Sequence, residues 1–249
     1  LFRSPKALII PFRFREGYPD DIVDHHLNLA KQLLGKIRLD FDITENVIYE
    51  SDADLVKSKY NANNYDFIIL LIATWIEPVL VVRAAKSYFH KPVMVWGFGS
   101  FVHEGERVNL GSMAGTGVVK GTLREMGIMH EMIYHLPGNT ATDEKIKSRI
   151  RMFANVSRAM SLLDQSRILT IGYLFGGMSL GDIDVTKMRT RFGPELVEAS
   201  NYTLIRKMEA IDSASAEYQE GIAFVNQHLM APIGEKIDRI VRMYIALKQ

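Results

Sequence analysis

The chain has 249 residues, 47% of them hydrophobic and 24% charged, enough for a sizeable core and room for two domains of ordinary size. A net charge of +1 leaves no electrostatic footprint for nucleic acid or an anionic membrane, and the absence of cysteine removes disulfides, thiolate metal sites and cysteine nucleophiles. The longest apolar run, "FIILLIA" at 67–73, is too short to span a bilayer. The expectation is a cytoplasmic protein that engages neither nucleic acid nor membrane. The first residue is Leu1 rather than methionine, and "LFRSPK" runs almost at once into a strand, so a piece of a longer protein is expected.

"KALIIPF" (6–12) reads as a buried strand leading into the loop "RFREGYPDD". Helix-period apolar residues follow from Ile22 to Leu34, with Gly35 as a stop. "DITENVIYE" (42–50) reads as a strand, and Ser51 with Asp54 as a capping box that opens the next helix. "YDFIILLIATW" (65–75) is a long strand, apolar on both faces. "PVLVVRAAKSYFH" (78–90) is a helix with Pro78 in its first turn, and "PVMVWG" (92–97) is another strand. The stretch after it reads as a loop, followed by a helix over Met113–Met126. "HEMIYHL" (130–136) is the fifth strand, and a long helix follows over Thr142–Leu163.

The pattern then restarts. "RILTIGY" is a strand, 184–192 a short helix, "ELVEAS" (195–200) a strand, and three helical stretches complete the chain. Strands that alternate with helices and are apolar on both faces predict an α/β fold with a parallel sheet covered on both sides. The expected organisation is a doubly wound, Rossmann-like first domain over 1–164. The start of a second α/β domain follows over 165–249, with only two strands and a last helix that carries no stop signal.

The stretch "ILTIGYLFGGMSLGD" (168–182) runs from a strand into a glycine-rich loop. A phosphate loop needs Gly-Lys-Ser/Thr, but here Gly181 precedes Asp182; Gly176, Gly177 and Gly181 also miss the dinucleotide spacing. A turn with positive φ at Gly176 or Gly177 accounts equally well for the glycines. His25 and His26 are adjacent on a helix and point different ways, and the two histidines of "HEMIYH" fall on opposite faces of a strand, so neither pair predicts a metal. In open α/β sheets the ligand crevice lies outside the carboxyl ends of the strands. Arg13, Arg15 and Trp75 fall there, and Arg13 and Arg15, two apart in an extended segment, are expected to point the same way. Two guanidiniums beside an indole suit a polar ligand; ion pairs from these arginines to Glu16, Asp20 or Asp21 and an indole that merely plugs the sheet end are the structural alternatives.

Three stretches carry a resemblance to a known family. They are "ILTIGYLFGGMSLGDIDVTKMRTRFGPELVEASNYTLIRKMEAI" (168–211), "GSMAGTGVVKGTLREMG" (111–127) and "YDFIILLIATWIEPVLVVRAA" (65–85). In order and in kind they resemble the L-fucose/L-arabinose isomerase family. That resemblance implies the N-terminal portion of an aldose–ketose isomerase, an enzyme in which a divalent ion, typically manganese, holds neighbouring sugar oxygens. It implies a homo-oligomer whose first domain helps to cover the neighbouring subunit's site. Arg13 or Arg15 and Trp75 match the family's sugar-facing arginine and tryptophan, and Met178, beside Gly176 and Gly177, its sugar-facing methionine. The metal ligands and catalytic acids of the family lie in a later part of its sequence, so this chain is expected to be inactive alone and to bind no metal. A non-catalytic sugar-binding or regulatory module of the same ancestry is the alternative. "YLFGG" and "PFRFREGYPD" depart from the family's pattern, which leaves the sugar open.

Overall fold

The computed structural model describes residues 3–136, 139–172, 183–228, 234 and 236–248. The chain divides into two compact units, Leu1–Ser161 and Leu162–Gln249. The first contains β1 (Lys6–Phe12), α1 (Asp20–Gly35), β2 (Asp40–Ile43), α2 (Glu50–Lys59), β3 (Phe67–Ile72), α3 (Pro78–Ala85), β4 (Val93–Phe98), β5 (Phe101–His103), β6 (Glu106–Val108), α4 (Ser112–Glu125) and β7 (His130–His135). The long helix α5 (Thr140–Asp164) starts in this unit and runs past its boundary.

The first unit is α/β. Its five-stranded sheet has the order β2-β1-β3-β4-β7, with every neighbouring pair parallel, which is compatible with a Rossmann-like fold. β3 and β4 are buried at every position, as strands covered on both faces must be. β1 divides its side chains with period two. Ala7 and Ile9 join a core made with Val23, Leu27 and Leu34 of α1 and Ile146 and Ile150 of α5. Leu8, Ile10 and Phe12 join a second core with Val56 of α2, Val81 of α3, and Val119 and Leu123 of α4. At the amino ends of β1 and β3, the carboxylate of Asp66, almost wholly buried, accepts from Arg3 (2.8 and 3.0 Å) and from the Lys6 N–H (2.9 Å).

Three local expectations are corrected. The strand expected over 42–50 stops at Ile43. Beyond it Thr44 N–H donates to Ile9 O (3.0 Å) and Val47 N–H to Pro11 O (2.8 Å), so three steps on one side face two on the other and the ladder breaks. The helix after it is capped by Asp52, whose carboxylate accepts from the N–H groups of Ile48 (3.0 Å) and Tyr49 (2.8 Å); Asp54 pairs with Arg83 and Lys57 instead. The loop after β4 contains the antiparallel hairpin β5–β6, closed by Glu104 and Gly105 at φ 51° and 84°. Three residues a side are too few to show an alternation.

The second unit contains β8 (Arg167–Ile171), α6 (Val185–Phe192), β9 (Glu195–Ala199), α7 (Asn201–Glu209), α8 (Ala216–His228) and α9 (Lys236–Lys248). β8 and β9 pair in parallel, Arg167 with Glu195 through Ile171 with Ala199. Asp184 caps α6 by accepting from Lys187 N–H (2.8 Å), and Ser200 caps α7 by accepting from Thr203 N–H (3.2 Å). Its small core is Tyr218 of α8 against Val241 and Ile245 of α9. Among the described residues no helix is long and apolar enough to cross a membrane.

Candidate functional site

The strand order reverses between β1 and β3: α1 carries the chain to one side of β1, and α2 returns it to the other. In sheets of this kind the ligand crevice lies at such a reversal, beyond the carboxyl ends of the strands. Here the two strand ends are tied together. Ala73 N–H donates to Phe12 O (2.9 Å), and Phe14 N–H donates to the Thr74 hydroxyl (2.7 Å). Trp75 N–H donates to Leu110 O (3.0 Å), and its half-buried indole meets the Phe14 ring edge to face at 5.1 Å.

The start of α4 locks into the same corner. The buried Ser112 hydroxyl accepts from Phe98 N–H (2.8 Å) and donates to Ile72 O (2.5 Å), bridging the ends of β3 and β4. Gly111 stands at φ 68°, and a Cβ there would lie 2.9 Å from the Tyr18 hydroxyl and 3.0 Å from the Trp75 Cβ. A Cβ on Gly115 would lie 2.8 Å from Thr74 O. Gly111 and Gly115 of "GSMAGTG" therefore serve a close approach of helix to strand ends.

Arg13 and Arg15 do not share an environment. β1 ends at Phe12, so its alternation does not extend through both arginines. Arg13 is buried on the α1 side, where its guanidinium donates to Asp20 (2.5 Å) and its Nε has no hydrogen-bond partner among the described residues. Arg15 is exposed, with Glu16 at 3.7 Å as its nearest carboxylate. The pairings weighed as structural alternatives are thus both present, and they leave Arg15 the more available of the two. Gly176, Gly177 and Met178 lie outside the described residues.

No family model matches the sequence, and a search of the curated proteins finds no match.

Arg15 and Phe14 also line a groove of about 190 Å³ that Tyr49, Glu50, Ile76, Glu77, Leu80 and Arg83 complete. Sequence reasoning missed it, because α2 and α3 are brought beside the β1 end only by the sheet order. Arg83 is held by Asp54 (3.2 and 2.7 Å) and also bonds Glu50. Arg83, then Lys57, holds the Asp54 carboxyl well below the usual carboxylate range.

A second polar cluster lies on the α1 side. His25 is exposed, whereas His26 is 1% exposed against Phe98 (4.7 Å) and Phe101 (4.1 Å), with neither ring nitrogen bonded among the described residues. Burial, then His25 and His135, pushes the His26 imidazole down to about 4. His135 is itself buried, and its Nε2 bonds the Asp143 carboxylate at 2.6 Å. Among the described residues no group of three histidine, aspartate or glutamate side chains is arranged to hold a metal ion, so a manganese site does not fit the residues described.

Proposed function

We propose that this chain is the N-terminal portion of an aldose–ketose isomerase resembling the L-fucose/L-arabinose isomerases, and that its part in the reaction is to bind sugar. The observation that carries the reading is the corner at the strand-order reversal, where Trp75 packs against Phe14, the residue before the exposed Arg15. A half-buried indole and an exposed guanidinium offer a sugar an apolar surface for its C–H face and donors for its oxygens. The complete enzyme takes its divalent ion from residues other than these, and this chain supplies walls to the pocket and contacts to neighbouring subunits of a homo-oligomer. The resemblance assigns Met178, beside Gly176 and Gly177, to the family's sugar-facing methionine.

The test is direct. Trp75→Ala in the complete protein weakens binding of a ketose or its alditol about tenfold or more, the loss of a stacked aromatic contact, and leaves manganese affinity unchanged. Equal sugar affinity in mutant and parent removes Trp75 from the site. The chain by itself shows no turnover of pentoses or deoxyhexoses with or without manganese; manganese-dependent turnover would overturn the assignment of its role.

A further inference from the structure

We propose that the groove between α2, α3 and the loop after β1 is a binding site for a small hydroxylated monocarboxylate, a sugar acid, and that it shares Phe14 and Arg15 with the indole corner. It stands whether or not the isomerase reading does. The volume, about 190 Å³, is below the ~300–1,000 Å³ of pockets for drug-sized ligands and suits a molecule of monosaccharide size. Its floor is apolar: Ile76 and Leu80 are buried, and Phe14 and Ile48 half-buried. On its rim the Tyr49 ring is more than half exposed, an aromatic face for the C–H groups of a polyol.

The polar groups choose the ligand's chemistry. Arg15 presents a planar fork of donors, and its one ion pair among the described residues is the long contact to its sequence neighbour Glu16 at 3.7 Å. A carboxylate takes that fork in two parallel bonds. Glu77 has no ion pair and no side-chain hydrogen bond among the described residues, and an ionised carboxylate accepts only, so it takes hydroxyls. Glu50 is held on the rim by Arg83, itself fixed by Asp54. Among the lining residues Glu50 and Glu77 balance Arg15 and Arg83, so the rim has no surplus positive charge for a dianion. A phosphate would meet these carboxylates, whereas a single carboxylate is balanced by Arg15.

Isothermal titration of the 249-residue chain with sodium gluconate tests this, with sorbitol, acetate, inorganic phosphate and glycine as comparisons. Gluconate binds with a Kd of about 1 mM or tighter, and each of the other probes binds at least about tenfold more weakly. Arg15→Gln weakens gluconate about tenfold or more, as expected for a charged hydrogen-bonded pair, and Glu77→Gln weakens it about threefold or more. Both side chains are exposed, and circular dichroism checks that the variants fold. Trp75→Ala leaves gluconate affinity unchanged, because Trp75 does not line the groove. The proposal fails if gluconate does not bind, if phosphate or glycine binds as well, or if Arg15→Gln and Glu77→Gln bind like the parent. Loss in Trp75→Ala with none in Glu77→Gln would place the ligand outside the groove and overturn it too.

Discussion

The five-stranded sheet of the first unit and the two-stranded sheet of the second are both parallel, yet they are built oppositely. In the first unit β3 reads FIILLI and β4 VMVWGF, and every residue of both is buried. In the second unit no residue of β8 (RILTI) or β9 (ELVEA) is fully buried, and Leu169 is half exposed. Parallel strands are ordinarily covered on both faces, and a sheet of only two strands is marginal on its own. The five-stranded sheet thus rests on two layers of packed side chains. The two-stranded one rests on its ladder and on the caps Asp184 and Ser200 of the helices beside it, while the small core of its unit, Tyr218, Val241 and Ile245, lies between α8 and α9. A similar strand–helix–strand text thus yields unequal burial, and burial rather than strand propensity carries most of the free energy.

The sharpest way to break that comparison is to delete the same side chain in both sheets. Leu70→Ala, in β3, removes a wholly buried leucine and costs about 2–5 kcal/mol. Leu169→Ala, in β8, removes a half-exposed one and stays within about 0.5 kcal/mol. Urea unfolding followed by circular dichroism measures both, and equal losses would show that β8 is as buried as β3.

Acid gives the next largest effect, and it falls on the first unit. His26 titrates near 4 in the fold against 6.5 when unfolded. Between those values the unfolded chain binds the proton and the folded one does not, so stability rises with pH through this window. The contribution is intact above about 6.5 and is lost as pH falls towards 4, by up to roughly 3 kcal/mol. His26→Leu should flatten the stability profile between pH 4 and 7, whereas an unchanged slope would mean that His26 is not held neutral by burial. Carboxylates such as Asp66, whose burial is outweighed by the Lys6 N–H and Arg3 so that its pKa is lowered, act at still lower pH and do not share this window.

The smallest effect sharpens the account of the second unit. Asp184→Ala removes the cap of α6 and costs about 1 kcal/mol. Hydrogen exchange should show faster amide exchange in Val185–Phe192 and no change in β3; protection unchanged in α6 would shift its stability away from the cap.

The helices and the buried strands of the first unit were readable because their apolar residues recur with the right period or run unbroken, as in Phe67–Ile72 and Val93–Phe98. The β5–β6 hairpin was not, since three-residue strands carry no period. The broken end of β2 was not, since the break lies in its hydrogen-bond partners on β1. Of the site, the sequence placed Arg13, Arg15 and Trp75 at strand ends but could not tell their environments apart. Arg13 was separated from Arg15 by Asp20, on a helix that docks only in the folded chain.

By itself, then, the sequence determined the α/β alternation, the two-sided burial of the central strands, the charge balance, and the chemical kinds of side chain at the strand ends. These follow from local period and composition, which a linear text carries in full. The tertiary structure alone decided the order β2-β1-β3-β4-β7, the burial of His26 beneath Phe101, the Ser112 bridge from β3 to β4, and the meeting of Arg15 with Tyr49 and Glu77 around one groove. Each of these joins residues far apart in sequence, and which distant partners meet is set by how the helices cover the two faces of the sheet. No single segment encodes that choice.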